Sequence, residues 1–320
     1  MRMEEGSFPS AGGEAQIHTV TWLPEGEPAA VLQIVHGMQE YAARYADMAK
    51  WFCQKGYAVC GADHLGHGKS LIGGQLGYFG ETDTSQTLVR DVEQFHRITR
   101  RRFPGVPYFL FGHSMGSFIT RLWMTQYAGD VSGVILSGTA GPTPMARWGK
   151  PLLRRMWKKN GGTWKDDALA GRIPTTYNRR FAAEGREYAW LSSDGAVSER
   201  FLADPLTQFS FTVSALWTLL DLLDQISRRS WPKKVPASLP ILLTAGAEDP
   251  VGAHGEGVRI LYDRMMQRGF DDLDLSLYPD CRHELHNETC REQVLCDWFA
   301  WLEAHFFNVI SEEKRDLRRT

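Results

Sequence analysis

Six short apolar runs, VLQIV (31–35), YAVCGAD (57–63), YFLFG (108–112), VSGVILSG (131–138), LPILLTAG (239–246) and LDLSLY (273–278), constrain this chain more than any other feature. Between them lie stretches of helical spacing. Residues 44–55 put Met48, Trp51 and Phe52 on one side, and Leu88, Val92, Phe95 and Ile98 recur along 84–103. Further helical stretches run up to Tyr127, over 255–268 and over 289–307. An alternating run, QIHTVTW (16–22), reads as a further strand with one exposed face. Apolar strands alternating with helices predict an α/β fold with a parallel sheet covered on both faces.

The rhythm stops near residue 140 and resumes near 236, and residues 141–235 contain no convincing buried strand. The simplest division is a core of 1–140 and 236–308, a helical insertion over 141–235, and a charged tail over 309–320 that is expected to fray. Composition fits an ordinary soluble globular chain, with 43% hydrophobic and 23% charged residues and a net charge of −2. No global field points to nucleic acid. MRMEEGSFPSAGG has the character of neither a signal nor a transit peptide, and the five cysteines show no framework, so reduced thiols in a cytoplasmic protein are expected. Cys53 and Cys60 read as buried small apolar groups. Oligomeric state is not readable.

Gly112-His-Ser114-Met-Gly116 follows an apolar strand and precedes a helix. A serine on so tight a turn is thrust up from the sheet edge, and the flanking glycines avoid collisions there. Such a hydroxyl needs a base and an orienting acid, in the chain order serine, acid, histidine. TAGAEDPVG (244–252) offers Glu248 and Asp249 after one strand, and CRHELHNETC (281–290) offers His283 and His286 after the next. All three loops fall on the carboxyl edge of the sheet, where open parallel sheets bind ligands. Metal binding by the decapeptide is the poorer reading. Its histidines are three apart rather than the four of H-E-x-x-H, and Cys281 and Cys290 lack C-x-x-C spacing. Thr289 and Glu292 look like a capping box at the next helix. His64 and His67 lie in a glycine-marked loop, where bonds to nearby backbone are expected rather than ligation.

HGMQEYAARY (36–45), ADHLGHGKS (62–70), FGHSMGS (111–117), AGAEDPV (245–251) and RHELHNE (282–288) together resemble one branch of the α/β-hydrolases, that of monoacylglycerol lipases and lysophospholipases, also grouped as serine aminopeptidase S33 domains. The likeness spans about residues 30–305. It implies an α/β-hydrolase fold with an inserted helical lid, Ser114 as nucleophile, Asp249 as acid with Glu248 second, and His283 as base. It implies the backbone N–H groups of Met38 and Met115 as an oxyanion hole, and His286 as non-catalytic. Tyr41 departs from the histidine common in the family.

In the insertion, Met145, Trp148, Leu152 and Met156 share one helical face, and residues 141–165 hold seven Lys or Arg and no acid. This segment suits contact with an anionic lipid surface, or equally a solvated face over a packed one. Farther on, Phe209, Phe211, Leu216, Trp217 and Leu220 are candidates for an acyl-chain pocket, with core packing as the alternative. The expected activity is hydrolysis of a small-molecule acyl ester, monoacylglycerol-like or lysophospholipid-like, without a cofactor or metal. An S33-type aminopeptidase, an acyltransferase and a non-catalytic ligand-binding protein on the same fold are the alternatives.

Overall fold

The structure is a computed structural model that describes residues 1–144 and 146–316. Its strands are β1 (Arg2–Pro9), β2 (Gln16–Leu23), β3 (Ala30–Val35), β4 (Tyr57–Ala62), β5 (Tyr108–His113), β6 (Gly133–Ser137), β7 (Ile241–Gly246) and β8 (Leu273–Tyr278). They form one sheet in the order β1-β2-β4-β3-β5-β6-β7-β8. From β4 to β8 every pairing is parallel. β1 and β2 join antiparallel at one edge. The fully buried β3, β5, β6 and β7 occupy the interior of the sheet, as their uninterrupted apolar runs require.

Helices cover both faces. α1 (Ala46–Gln54) and α10 (Arg291–Asp316) lie on one, where Phe52, Trp298 and Leu302 pack with Trp22 and Phe109. α2 (Thr84–Arg102), α3 (Met115–Tyr127) and α9 (Glu256–Met266) contribute Leu88, Ile119 and Leu261 to the other core. Between β6 and β7 come α4 (Ala146–Asn160), α5 (Asp167–Ala170), α6 (Arg172–Asn178), α7 (Gly195–Ala203) and α8 (Val213–Ser227). The pairing within that segment is a single bridge, Lys165 to Thr212, among the described residues.

One strand was not anticipated, and two expectations need correction. The N-terminal residues include a strand: β1 is exposed apart from Phe8 and Glu4, and its register against β2 runs from Arg2↔Leu23 to Pro9↔Gln16. β2 lacks an exposed face, because Ile17 enters one core and Val20 and Trp22 the other. α10 continues to Asp316, past the expected stop near 307, while residues 317–320 fall outside the described residues. No described helix is long and apolar enough to cross a membrane.

α4 also turns the other way from expectation. Its inward side is Ala146, Leu153 and Trp157, whereas Trp148 and Leu152 are 66% and 60% exposed. Met145, expected on the same face, lies outside the described residues. Several bonds tie the segment to the core, among them Tyr41 Oη to Asp204 at 2.6 Å and Ser85 Oγ to Asp221 at 2.7 Å, and two further ties bear on the loops around Ser114 and His283. Buried Arg121 of α3 donates to the carbonyls of Ala140 and, at the end of α8, Ile226, and stacks on Trp231 at 4.3 Å. Residues 189–193 brace the loop after β8: His283 N donates to Trp190 O, Glu284 N to Leu191 O at 2.7 Å, and Arg282 Nη1 to Ala189 O at 2.6 Å.

Candidate active site

Ser114 links β5 to α3 with φ 52° and ψ −123°. Positive φ is costly for a residue with a side chain and persists only where the surroundings enforce it. Here Ser114 N donates to Ser137 O at 3.0 Å, and Ser117 N returns to Ser114 O at 2.9 Å. A Cβ on Gly116 would run into the carbonyls of Val35 and His36, and one on Gly112 into the Thr120 hydroxyl. Both glycines of the motif are therefore steric necessities of the turn.

Asp249, on the loop after β7, is fully buried, and both its carboxylate oxygens lie 3.0 Å from His283 Nδ1. A second bond, from Val251 N at 2.9 Å, fixes the carboxylate. Burial alone would lower the His283 pKa, but the charge of Asp249 and its hydrogen bond override it, and the net shift is upward. With Nδ1 donating to Asp249, Nε2 is left as the basic nitrogen. Glu248, the second choice of acid, instead pairs with Arg180 at 2.9 Å. Ser114 and His283 line the same cavity, of about 390 Å³. Among the described residues no hydrogen bond joins the serine hydroxyl to the imidazole, a contact that in such sites often tightens only around bound substrate.

Met38 and Met115 line this cavity too. Met115 N opens α3 and precedes its helical ladder, and Met38 N has no acceptor among the described residues. Two amides without an acceptor among the described residues thus belong to residues that line the cavity with Ser114.

Around these residues lies a buried ionic cluster that motif reading left unassigned. Arg44 donates through both terminal nitrogens to Glu284, at 3.0 and 3.2 Å, and through Nη1 to Glu40 at 3.1 Å. Glu40 in turn accepts from Gly37 N and from Tyr45 Oη at 2.9 Å. Burial pushes Glu40 up to about 7, while Glu284, also raised by burial, is brought down to about 2 chiefly by Arg44. The guanidinium's fork serves Glu284, which explains why that carboxylate holds the charge. The cluster joins the Met38 loop to the His283 loop.

The remaining histidines settle into structural places. His64 Nε2 meets His36 O and His67 Nδ1 meets Leu65 O, both at 3.1 Å. His286 is buried, stacked on Tyr45 at 4.6 Å, and lowered to about 4, chiefly by burial. The expected Thr289–Glu292 capping box is replaced: α10 begins at Arg291, Thr289 N bonds Glu288 Oε2, and Glu292 accepts from Trp51 Nε1.

Of the five pocket candidates, Leu220 lines the cavity, beside Leu219 and Leu223 of α8. Phe209, Phe211, Leu216 and Trp217 do not line it. Phe209 and Phe211 close on the His67 ring at 5.4 and 5.5 Å, Leu216 joins the core, and Trp217 meets Trp157 of α4 at 5.8 Å. For Leu216 and Trp217 the reason is the rotation of α8, which turns 219, 220 and 223 toward the cavity and Trp217 toward α4; Phe209 and Phe211 precede that helix. Sequence reading missed Phe118, Tyr177, Trp190 and Phe201, which complete the wall. Tyr177 and Phe201 sit in the short helices α6 and α7, and Trp190 in a single turn between them, too little chain to show a period; Phe118, four residues after Ser114 in α3, was foreseeable from helical spacing.

A mostly parallel sheet flanked by helices, with a strained serine at the carboxyl end of its central strand and a Asp–His pair on the loops after the last two strands, defines the α/β-hydrolase class. A family described as "Serine aminopeptidase, S33" matches residues 26–290. A "Monoacylglycerol lipase" of Mycolicibacterium smegmatis is 31% identical over 306 residues, covering 94% of this chain and 97% of that protein. A human "Monoglyceride lipase" is 26% identical, covering 83% of this chain and 79% of its own. In structure, a thermostable carboxyl esterase from Bacillus coagulans, solved with glycerol, superposes with a TM-score of 0.88 at 30% identity, covering 96% of this chain and 99% of its own. The chain belongs to this monoacylglycerol lipase-like S33 family of α/β-hydrolases and is a serine ester hydrolase.

Proposed function

We propose that the protein hydrolyses monoacylglycerol-like or lysophospholipid-like esters through Ser114, His283 and Asp249, by way of an acyl-enzyme. The observation that carries this reading is the buried Asp249–His283 pair opening into the cavity that also holds Ser114. His283 Nε2 takes the hydroxyl proton as Ser114 Oγ bonds to the acyl carbon. Met38 N and Met115 N hold the resulting oxyanion. Collapse breaks the ester C–O bond, and His283 returns the proton to the leaving alcohol. Water then repeats the sequence and frees the acid.

The leaving alcohol must lie beside the proton donor. Trp190, 4.9 Å from the His283 ring, and Tyr177 therefore flank the alcohol, and Phe118, Leu219 and Leu223 are left for the acyl chain. The acids lining the cavity are Glu40 and Glu284, both engaged by Arg44, so neither is free for the α-amine that an aminopeptidase substrate would present. The segment between β6 and β7 acts as a lid, and the outward Trp148 and Leu152, flanked by Arg147 and Arg155, rest on anionic lipid.

A fluorophosphonate probe followed by a p-nitrophenyl ester series tests the reaction. Labelling of Ser114 and ester turnover, both lost in Ser114→Ala, are expected. Faster cleavage of aminoacyl anilides than of esters would instead favour the peptidase. Transfer of the acyl group to added glycerol in preference to water would favour an acyltransferase. Folded protein that takes no label would be a binding module.

A further inference from the structure

Cys281 and Cys290 bracket the loop that carries His283, and their Sγ atoms lie 2.7 Å apart as free thiols. The two are nine residues apart in sequence and stand at the two ends of the connection between β8 and α10. Cys281 follows the edge strand β8, and Cys290 directly precedes α10. Cys281 is 4% exposed, and its carbonyl accepts from Glu248 N at 2.9 Å, beside Asp249. Cys290 is partly exposed. The other three cysteines make no such pair: Cys53 and Cys60 are buried apart, and Cys296 is exposed on α10.

We propose that Cys281 and Cys290 form a thiol–disulfide modification site that staples β8 to α10 around the His283 loop when a small-molecule disulfide such as oxidised glutathione is present. The sulfurs are already in contact, so closing the bond moves each side chain by a fraction of an ångström and leaves the backbone in place. Access sets the order of events. Cys290 is the thiol that reagents reach; its thiolate attacks the oxidant's S–S bond, forming a mixed disulfide and releasing one small thiol. Cys281 then gives up its proton and attacks Cys290 Sγ, expelling the second small thiol. Two protein S–H bonds and one external S–S bond become one protein S–S bond and two external S–H bonds. The protein loses two electrons and the oxidant gains them. Burial raises the Cys281 pKa, which agrees with its role as the second, resolving thiol.

The consequence follows from what the loop already is. Glu288, fully buried, accepts from Arg282 N, Ser193 N, Ser193 Oγ and Thr289 N, so the loop is pre-shaped with His283 inside it. A covalent tie across a loop already in its native form restricts the unfolded chain more than the folded one. The oxidised protein therefore resists unfolding without a change in resting geometry at His283. This inference does not depend on the proposed ester substrate.

The test treats full-length protein with oxidised glutathione, blocks residual thiols with N-ethylmaleimide, and maps the digest by mass spectrometry alongside thermal unfolding. The expected result is a Cys281–Cys290 linked peptide and a Tm higher by roughly 5 °C, both reversed by dithiothreitol. Cys290→Ser should lose the response and Cys296→Ser should keep it, with circular dichroism confirming that both fold. Mixed disulfides at Cys290 or Cys296 without a 281–290 link would overturn the site. A link that leaves Tm at the dithiothreitol value would overturn the stapling role.

Discussion

In the proposed reaction a neutral imidazole is the working form of His283, and the Asp249 carboxylate at 3.0 Å makes that form harder to reach. Activity should therefore rise with pH along a limb whose midpoint lies above that of a free imidazole. A kcat/KM profile for a p-nitrophenyl ester checks the sign: Asp249→Asn should move the midpoint down and lower turnover by about 10⁴-fold. Ser114→Ala and His283→Ala should each remove turnover by a comparable or larger factor while leaving the protein folded. His286, stacked on Tyr45 with neither ring nitrogen hydrogen-bonded among the described residues, should behave differently: His286→Ala keeps most turnover and loses about 2 kcal/mol of stability in urea unfolding. Ser114, Asp249 and His283 were legible because their neighbours are constrained too; a glycine either side of the turn and a strand before each loop leave a signature in the sequence. Trp190 and Tyr177 left none, since their nearness to His283 is a product of chain tracing through the segment between β6 and β7.

At the scale of elements, the Glu40–Arg44–Glu284 cluster holds the loop after β3 against the loop after β8. Removing its cation strands two buried carboxylates. Arg44→Met is expected to destabilise by about 3–5 kcal/mol in urea unfolding. Arg180→Ala, which breaks the half-exposed pair with Glu248, should cost under about 1 kcal/mol. The interior strands were plain in the sequence because burial on both faces demands apolar residues throughout. β1 was not, because RMEEGSFP is held by backbone pairing to β2 rather than by an apolar face. Charges and a terminal proline suit an edge strand, and they hide it from a search for apolar periodicity. α4 shows the opposite failure. Its apolar residues do form a stripe, but with Leu153 and Trp157 turned inward the Trp148–Leu152 stripe faces out.

For the whole molecule, that outward stripe makes a physical demand, since an indole and a leucine in water gain by burial elsewhere. Trp148→Ser with Leu152→Ser should weaken sedimentation with anionic vesicles several-fold and leave hydrolysis of a dispersed short-chain ester unchanged. The change of rhythm near residue 140 was visible in the sequence, but the joints between the helices after β6 and the sheet were not, since they end on backbone carbonyls that any residue supplies. Those joints bear on how such enzymes can be rebuilt. Because residues 189–193 hold the side chain of Arg282 and the backbone of His283 and Glu284, a graft that replaces the whole stretch from β6 to β7 with a relative's would also discard the cradle of the imidazole. Exchange of substrate range between family members is better attempted with this short strap retained, and with new sequence confined to the helices on either side of it.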